Sequence, residues 1–595
     1  MSVPGPEEVY TDRKARFEAL LGRQKKILTY ISILRLALIV GTIYFIVLTV
    51  KSGHELLLVP AALMIILFFV FVSYHKNQND KRKLLEELIS VNSEELQALR
   101  HDFPAFGDGR QFIDPHHPWS FDLDLFGDQS LYQSMNRTAT HTGPEKLAEL
   151  LGTPAAAEKE VRERQAVIRE LAEKINLRQH FSAHARLMQK DKQDLQRILD
   201  WSAEKAFIEK YRWTKILPPV MTLVSAAIIV AGALNTAAFR LLIPLVLVNL
   251  SILSPFIART SRYQEQVSRK HRFLGTYSTL LDILARESFD HRRLRRFSDD
   301  CQDASGAIRQ LSFLLNLFDQ RLNLLVGFVL NALVLFDFHM LHRLASWNRR
   351  HREDLQKWLV IAGETDALFS LAGFAFNNPE YQYPEIKDDH TGLKTVGLGH
   401  PMIPGEKRVS NSLKIDQERV VLITGANMAG KSTFLRSVGV NMVLTYAGCP
   451  VCAEEFITGP YRLVSGMRTS DSLKDEESYF LAEIRRLKSI VDRMDEGEKL
   501  LILLDEMLKG TNTTDKQKGS RGLIERSATH HVLCFIATHD LSLGEMQEQY
   551  PGQIVNYCFE SYIEDLELRF DYTIRPGLAK NMNASFLMKK MGIMQ

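Results

Sequence analysis

Val420-Val-Leu-Ile-Thr424 runs directly into Gly425-Ala-Asn-Met-Ala-Gly-Lys-Ser-Thr433, and the reading of this stretch decides the fold of the C-terminal third of the chain. The apolar, β-branched run predicts a buried strand, Gly-x4-Gly-Lys-Ser a phosphate-wrapping loop, and Phe434 to Val443 a helix. Glycines let backbone amides approach an anion, and the following helix turns its N-terminus towards it. In such a loop Gly425, Ala426, Asn427, Met428, Ala429, Gly430, Lys431, Ser432 and Thr433 would surround ATP. Lys431 would lie against the β and γ phosphates, and the Ser432 hydroxyl would help hold Mg2+.

Working outward, Lys499-Leu-Leu-Ile-Leu-Leu504 predicts a second buried strand that delivers Asp505-Glu506 to its end. Asp505 is expected to bind the magnesium water shell and Glu506 to orient or deprotonate an attacking water. A third strand, His531 to Thr538, ends in His539, placed to sense the γ-phosphate. Together these predict an α/β nucleotide-binding domain over 386–595. Its start is marked by the change near Asn377 from helical texture to Pro, Gly and short β-branched runs.

The remainder of the 595 residues has a different character. Hydrophobic residues are 45% and charged residues 24%, values that exclude a wholly disordered or coiled-coil chain. Lys plus Arg is 74 against 71 for Asp plus Glu, so the net charge of +3 names no partner. Five cysteines, at 301, 449, 452, 534 and 558, are too few for a disulfide framework and suit a reducing compartment. Cys449-Pro-Val-Cys452 has metal spacing but no second pair, and is read as packing.

Four runs are apolar on every helical face: Leu36–Val50, Leu56–Tyr74, Ile216–Phe239 and Leu241–Ala258. About 20 residues span a bilayer core, so these predict two transmembrane hairpins. Lys and Arg flank both outer ends of each, from Arg13 to Lys26 and Lys76 to Lys83, then Lys205 to Lys215 and Arg259 to Lys270. That asymmetry predicts a multi-pass protein of the cytoplasmic (inner) membrane with its ATPase domain in the cytosol. Leu322–Phe336 is shorter and is expected to be a buried helix. The organisation expected is a cytosolic segment 1–30, hairpins at 31–75 and 216–258, helical segments at 76–215 and 259–385, and the α/β domain. The fold class is multidomain: an α-helical membrane and lever region followed by an α/β P-loop ATPase domain of ABC type. Basic clusters at His291–Arg296 and His342–Arg352 are read first as solvated helix faces.

The set resembles the MutS family of mismatch-repair ATPases, whose loop reads Gly-Pro-Asn-Met-Gly-Gly-Lys-Ser-Thr. Collinear with it are Gly399-His-Pro401, Val409-Ser-Asn411, Ser470-Asp471, Ser478-Tyr-Phe-Leu-Ala-Glu483, Leu504-Asp-Glu-Met-Leu-Lys-Gly-Thr511, Ala537-Thr-His-Asp540, and Tyr572-x4-Gly577 with Ser585. Upstream, Leu125-Phe126, Asn136-Arg137-Thr138, Thr140, Gly143 and Arg164-Gln165 are similar to the start of that family's core. The resemblance implies a homodimer with composite sites, in which Ser478 reaches the partner's nucleotide, and helical arms that hold double-stranded DNA by phosphate contacts such as Arg292 and Arg295. Ser478 also suits a helix cap before Tyr479. Three positions depart from the pattern: Ala429 for Gly, Tyr479 for Thr, and Leu508-Lys509 for Gly-Arg. The mismatch-reading domain has no counterpart, and Phe207-Ile-Glu209 matches its wedge letters by coincidence. A membrane ATPase acting on lipid or a protein partner is the alternative, and an ABC exporter ranks third, because Leu-Ser-Gly-Gly-Gln is missing.

Overall fold

The computed structural model describes residues 4–154, 157–188, 192–268, 270–468, 479–508, 510–564 and 567–580. The chain begins with two long helices, α1 (Pro6–Ser52) and α2 (Leu58–Ala98), folded back on each other. At the turn Gly53 takes φ 70°, and its N–H bonds to the Thr49 carbonyl to close α1. Residues 6–30, most of the segment expected as a separate cytosolic piece, are the first part of α1. Tyr10, Phe17, Gln24 and Ile31 are buried at seven-residue spacing along a single seam, and no proline interrupts it. Gln24 closes that seam by donating to both the backbone and side-chain oxygens of Gln78, at 2.8 Å each. Further along, Leu88, Val91, Asn92 and Glu95 of α2 are buried, and α2 packs on the helix Ile175–Arg186. The turn-proximal halves do the opposite, exposing Leu36, Val40, Ile43, Val47, Val59, Ile66 and Phe69.

The second hairpin is more broken than its composition implies. α3 (Leu217–Leu234) stops at Asn235, which leaves helical geometry and accepts a bond from the Ala237 N–H. A 3-10 turn over Thr236–Leu241 follows, then α4 (Leu242–Leu253), which Pro255 ends. Among the described residues, five helical stretches are long and apolar enough to cross a membrane. Four of them bury only 6%, 6%, 17% and 22% of their most apolar window, whereas the fifth, Phe336–Asn377, buries 72%. The fifth is therefore a core helix, because its apolar faces are already occupied by protein.

The stretch 322–336 corrects an expectation. After α5 (Arg292–Phe318) the chain bends by 104° into α6 (Leu324–Val334), then enters α7 (Phe336–Asn377) through Leu335 at φ 50°. α6 is not buried: only Gly327, Asn331 and Ala332 face protein, while Leu324, Leu325, Phe328 and Val329 are exposed. Its short length and its small inner-face residues let it lie on α3 and α4 instead of entering the core.

α7 ends at Asn377, where the α/β part begins; Gln382 already bridges to Val451, a few residues ahead of the expected boundary. Strands β1 (Glu385–Ile386), β2 (Leu393–Leu398), β3 (Asn411–Ile415) and β5 (Glu455–Thr458) make a four-stranded sheet ordered β1-β5-β2-β3. The larger sheet contains β4 (Val420–Gly425), β6 (Arg462–Gly466), β7 (Leu500–Asp505), β8 (Val532–Thr538), β9 (Ile554–Glu564) and β10 (Glu567–Pro576), ordered β10-β9-β4-β8-β7-β6. All its pairings are parallel except β9 with β10. Every residue of β4 and β8 is buried, as expected for parallel strands covered on both faces.

Candidate functional site

The register of the large sheet builds the site. Thr424 of β4 lies opposite Thr538 of β8, and Asp505 of β7 opposite Ala537. Three chain ends therefore emerge side by side on the carboxyl edge, where open parallel sheets bind ligands. From β4 comes the loop 425–430, from β7 Asp505-Glu506, and from β8 His539.

The loop needs left-handed backbone at Gly425 (φ 149°), Met428 (φ 68°) and Gly430 (φ 109°). A Cβ on Gly430 would also stand 3.3 Å from the Tyr572 ring. Helix α8 (Lys431–Ala447) starts immediately after it, and the first four N–H groups of a helix have no acceptor within it. Lys431, only 5% exposed, donates from Nζ to the carbonyls of Gly425 at 2.8 Å and Ala426 at 3.0 Å, and sits 3.4 Å from His539 Nε2. A buried ammonium beside a helix N-terminus is a setting that a phosphate completes. Ser432 Oγ donates to Asp505 Oδ2 at 2.5 Å. A hydroxyl and a carboxylate are the hard oxygen donors that Mg2+ takes, in ones and twos, with water and phosphate filling the rest. Among the described residues no group of three or more His, Cys, Asp or Glu is placed to hold a metal alone, so a cation here would share its shell with a ligand.

Glu506 and His539 meet, with Oε1 2.5 Å from Nε2. The Glu506 N–H bonds to the Ala537 carbonyl at 3.0 Å, across the strand pair. Glu506 (φ 53°) and Leu508 (φ 58°) are both non-glycine residues in left-handed backbone, at an energetic cost of about 1–3 kcal/mol each. Leu508 is held there by the Glu483 carboxylate, which accepts its N–H at 2.5 Å, and by packing of its side chain where Gly519 has no Cβ. Next to His539, Asp540 is held below the usual carboxylate range; burial acts the other way but is outweighed by bonds from Ser542 and Gln517. His400, from Gly399-His-Pro401, is pushed down to about 4 by burial and then by Arg436.

Several supports were not read from sequence. Glu483 was noted only as a motif letter. Asn411 donates to the Tyr572 carbonyl at 3.0 Å and accepts from the Ile574 N–H at 2.7 Å, tying β10 beside the loop. Asp122, wholly buried, accepts from Ser465 Oγ (2.7 Å), the N–H groups of Met467 (3.2 Å) and Arg468 (3.0 Å), and Arg486 (2.7 Å). It thereby locks the helical region to β6 and to helix α9 (Tyr479–Asp495). No local pattern marks Asp122, since its partners lie more than 340 residues away. Ser478, Ser470, Asp471, Lys509 and Ser585 lie outside the described residues.

The family model described as MutS domain V matches residues 421–590, the segment that supplies the loop, Asp505, Glu506 and His539. A DNA mismatch repair protein MutS from Chlorobium phaeovibrioides is 38% identical over 213 residues, 34% of this chain and 24% of that protein. Residues 421–590 of the chain are a MutS domain V. The MutS of Chlorobium limicola is 34% identical over 218 residues (35% and 24%), and that of a Thermotoga species 30% over 251 residues (41% and 31%). The matched part thus spans about a quarter of the first two relatives. Outside MutS domain V, Arg292, Arg295 and Arg296 are exposed at the start of α5, with Arg293 over the Phe297 ring. Ile208 of Phe207-Ile-Glu209 is buried in a 3-10 turn. Cys449 and Cys452 are both buried, and burial raises both thiols above their ordinary range.

Proposed function

We propose that the chain is a membrane-anchored MutS-type ATPase, a homodimer that closes on ATP and opens on hydrolysis, and that the motion is delivered to membrane helices. The observation that carries the ATPase is the meeting of Lys431, Ser432, Asp505, Glu506 and His539 on one sheet edge within MutS domain V. In this reading the loop amides and Lys431 bind the phosphates of ATP, and Ser432 and Asp505 hold Mg2+. Glu506 accepts a proton from the attacking water, while His539 fixes the Glu506 carboxylate and meets the γ-phosphate. Ser478 reaches the partner's nucleotide.

Delivery to the membrane is supported by α7. It is one 42-residue helix, ~63 Å long at 1.5 Å per residue. Near one end His339 and His342 contact Thr222 of α3 and Thr214 just before it. At the other, Asn377 bonds to Glu95 and Tyr10 and leads into the α/β domain. The apolar halves of α1 and α2, with α3 and α4, then lie in the inner membrane with the ATPase domain in the cytosol. Double-stranded DNA is the second reading, favoured by the exposed Arg292, Arg295 and Arg296 and by the names of the relatives.

The test is ATP hydrolysis by purified protein in detergent and in liposomes. Lys431→Ala should weaken nucleotide binding, and Glu506→Gln should bind ATP but not turn it over; unchanged hydrolysis in both overturns the assignment. Mixing Ser478→Ala with Lys431→Ala subunits should restore one site per dimer, and a mixture no more active than its parents contradicts the composite site.

A further inference from the structure

α6 is anomalous on any soluble reading. It has no charged residue, Leu324 and Leu325 are 87% and 78% exposed, and Phe328 and Val329 join them on the outside. At eleven residues it is ~16 Å long, about half the ~30 Å hydrocarbon core, so it cannot cross. Its C-terminal end, where the last carbonyls have no helical partner, is finished by side chains from the second hairpin. Asn249 of α4 donates to the Ala332 carbonyl at 2.7 Å, Ser225 of α3 to that of Leu333, and Thr222 of α3 to that of Val334 at 3.5 Å. Such capping is what a helix end requires where no water reaches it.

The same contacts fix the depth. Ser225 of α3 and Asn249 of α4 each lie ten residues, ~15 Å at helical rise, from the nearest cation of their flank, Lys215 and Arg259. Both fall within one leaflet, the one next to the cationic flanks. The two ends of α6 return together. Arg321, just before it, pairs with the buried Asp337, just after it, at 3.0 Å, and Arg321 also donates to Gln264 at 2.7 Å. Asn331 donates to Asp337 Oδ1 at 3.1 Å and accepts the Asp337 N–H at 2.9 Å. Gly327 fits because a Cβ there would stand 2.5 Å from the Arg321 carbonyl.

We infer that α6 is a lipid-embedded half-helix, seated in the cytosol-facing leaflet against α3 and α4 and not crossing the bilayer, so that the junction of α5 and α7 is itself held in lipid. This rests on the membrane reading of the second hairpin, which keeps α5 and α7 on one side. It makes the bilayer a direct partner of the lever tip and not only an anchor beside it.

Nitroxide labels at Leu325→Cys and Phe328→Cys, with Val230→Cys on α3 as the span control and Arg349→Cys as the aqueous control, test it in liposomes. The wild-type chain, whose five cysteines are all buried, is the blank, and retained ATPase activity reports folding. Positions 325, 328 and 230 should all be several-fold more accessible to O2 than to a soluble nickel chelate, with 349 reversed. If 230 is lipid-exposed while 325 and 328 meet the nickel chelate or are shielded from both, this inference falls and the membrane reading stands. If 230 also meets the nickel chelate, the membrane reading falls and this inference with it. Cysteines at Gln320 and Arg343, both exposed and flanking the half-helix, should label from the same cytosolic face; labelling from opposite faces makes α6 a span and overturns the inference.

Discussion

β7 and the first half of α2 are both nearly unbroken apolar runs, yet they treat water oppositely. Leu500 to Leu504 are all buried, whereas Leu58, Val59, Leu63, Ile66 and Phe69 are exposed. Burial is worth roughly 25 cal/mol per Å2 of apolar surface, and an exposed apolar face of this extent marks a membrane or protein contact. On the membrane reading proposed above, one chain is built for two solvents, with α7 passing between them. In the α/β part apolar side chains make a rigid frame that aims a few polar groups at one edge. In the hairpins the apolar side chains face outward, and buried polar groups such as Ser225 and Asn249 join α3 and α4 to α6.

The sharpest way to break this comparison is at the sheet edge. Glu506→Gln removes one proton acceptor from a frame that should otherwise be intact, so turnover should fall about 10²- to 10⁴-fold with ATP still bound. A loss of binding in a calorimetric titration would instead mean that Glu506 supports the frame. Next in size is the joint between the two regions. Asp122→Ala leaves Arg486 without its buried partner and should cost roughly 3–5 kcal/mol. Urea unfolding followed at the nucleotide site would detect it, and a change under 1 kcal/mol would mean that the regions are not joined there. Smaller still is Leu508→Gly, which gives up about 2 kcal/mol of burial and recovers about 1 kcal/mol of left-handed strain. A net destabilisation near 1 kcal/mol is expected, and a gain in stability would show that strain dominates. Lys488→Ala breaks an exposed pair with Asp492 and should change stability by less than about 0.5 kcal/mol. The smallest expected effect is a null. If DNA binds, contacts through Arg292, Arg295 and Arg296 would read phosphate and not base pairing. Homoduplex and a G·T mispair should then titrate alike, and a preference for the mispair would reveal a recognition element outside this account.

Legibility followed the range of the interactions. The loop, Asp505-Glu506 and His539 were readable because strand, turn and helix signals lie next to one another in sequence, and the parallel sheet then brings their ends together. Glu483 and Asp122 were not, since each acts through bonds to backbone that only the tertiary fold brings near. Departures from pattern had partial value: Leu508, where the family has glycine, stands in left-handed backbone that glycine would occupy without strain. Among the helices, composition located the apolar runs but not their ends. Asn235 ends α3 inside the uncharged run of the second hairpin, and residues 6–30 merged into α1 because its buried seam has heptad spacing and no proline interrupts it. α6 was misread because its length, and the need to keep the ATP-binding domain in the cytosol, argued against a span, and the remaining alternative considered was the core; its outward-facing leucines are a matter of where the chain bends.

The proposal that one chain carries ATP hydrolysis on membrane helices makes a physical demand: the activity must stay with the bilayer. It is tested most directly by reconstituting the purified protein in liposomes, washing with alkaline carbonate, floating the vesicles on a density gradient and measuring ATPase activity in each fraction, with Glu506→Gln as the blank. The account predicts that activity floats with the vesicles after the wash and is absent from the blank. Activity that stays at the bottom of the gradient, or that floats equally in the blank, would contradict it.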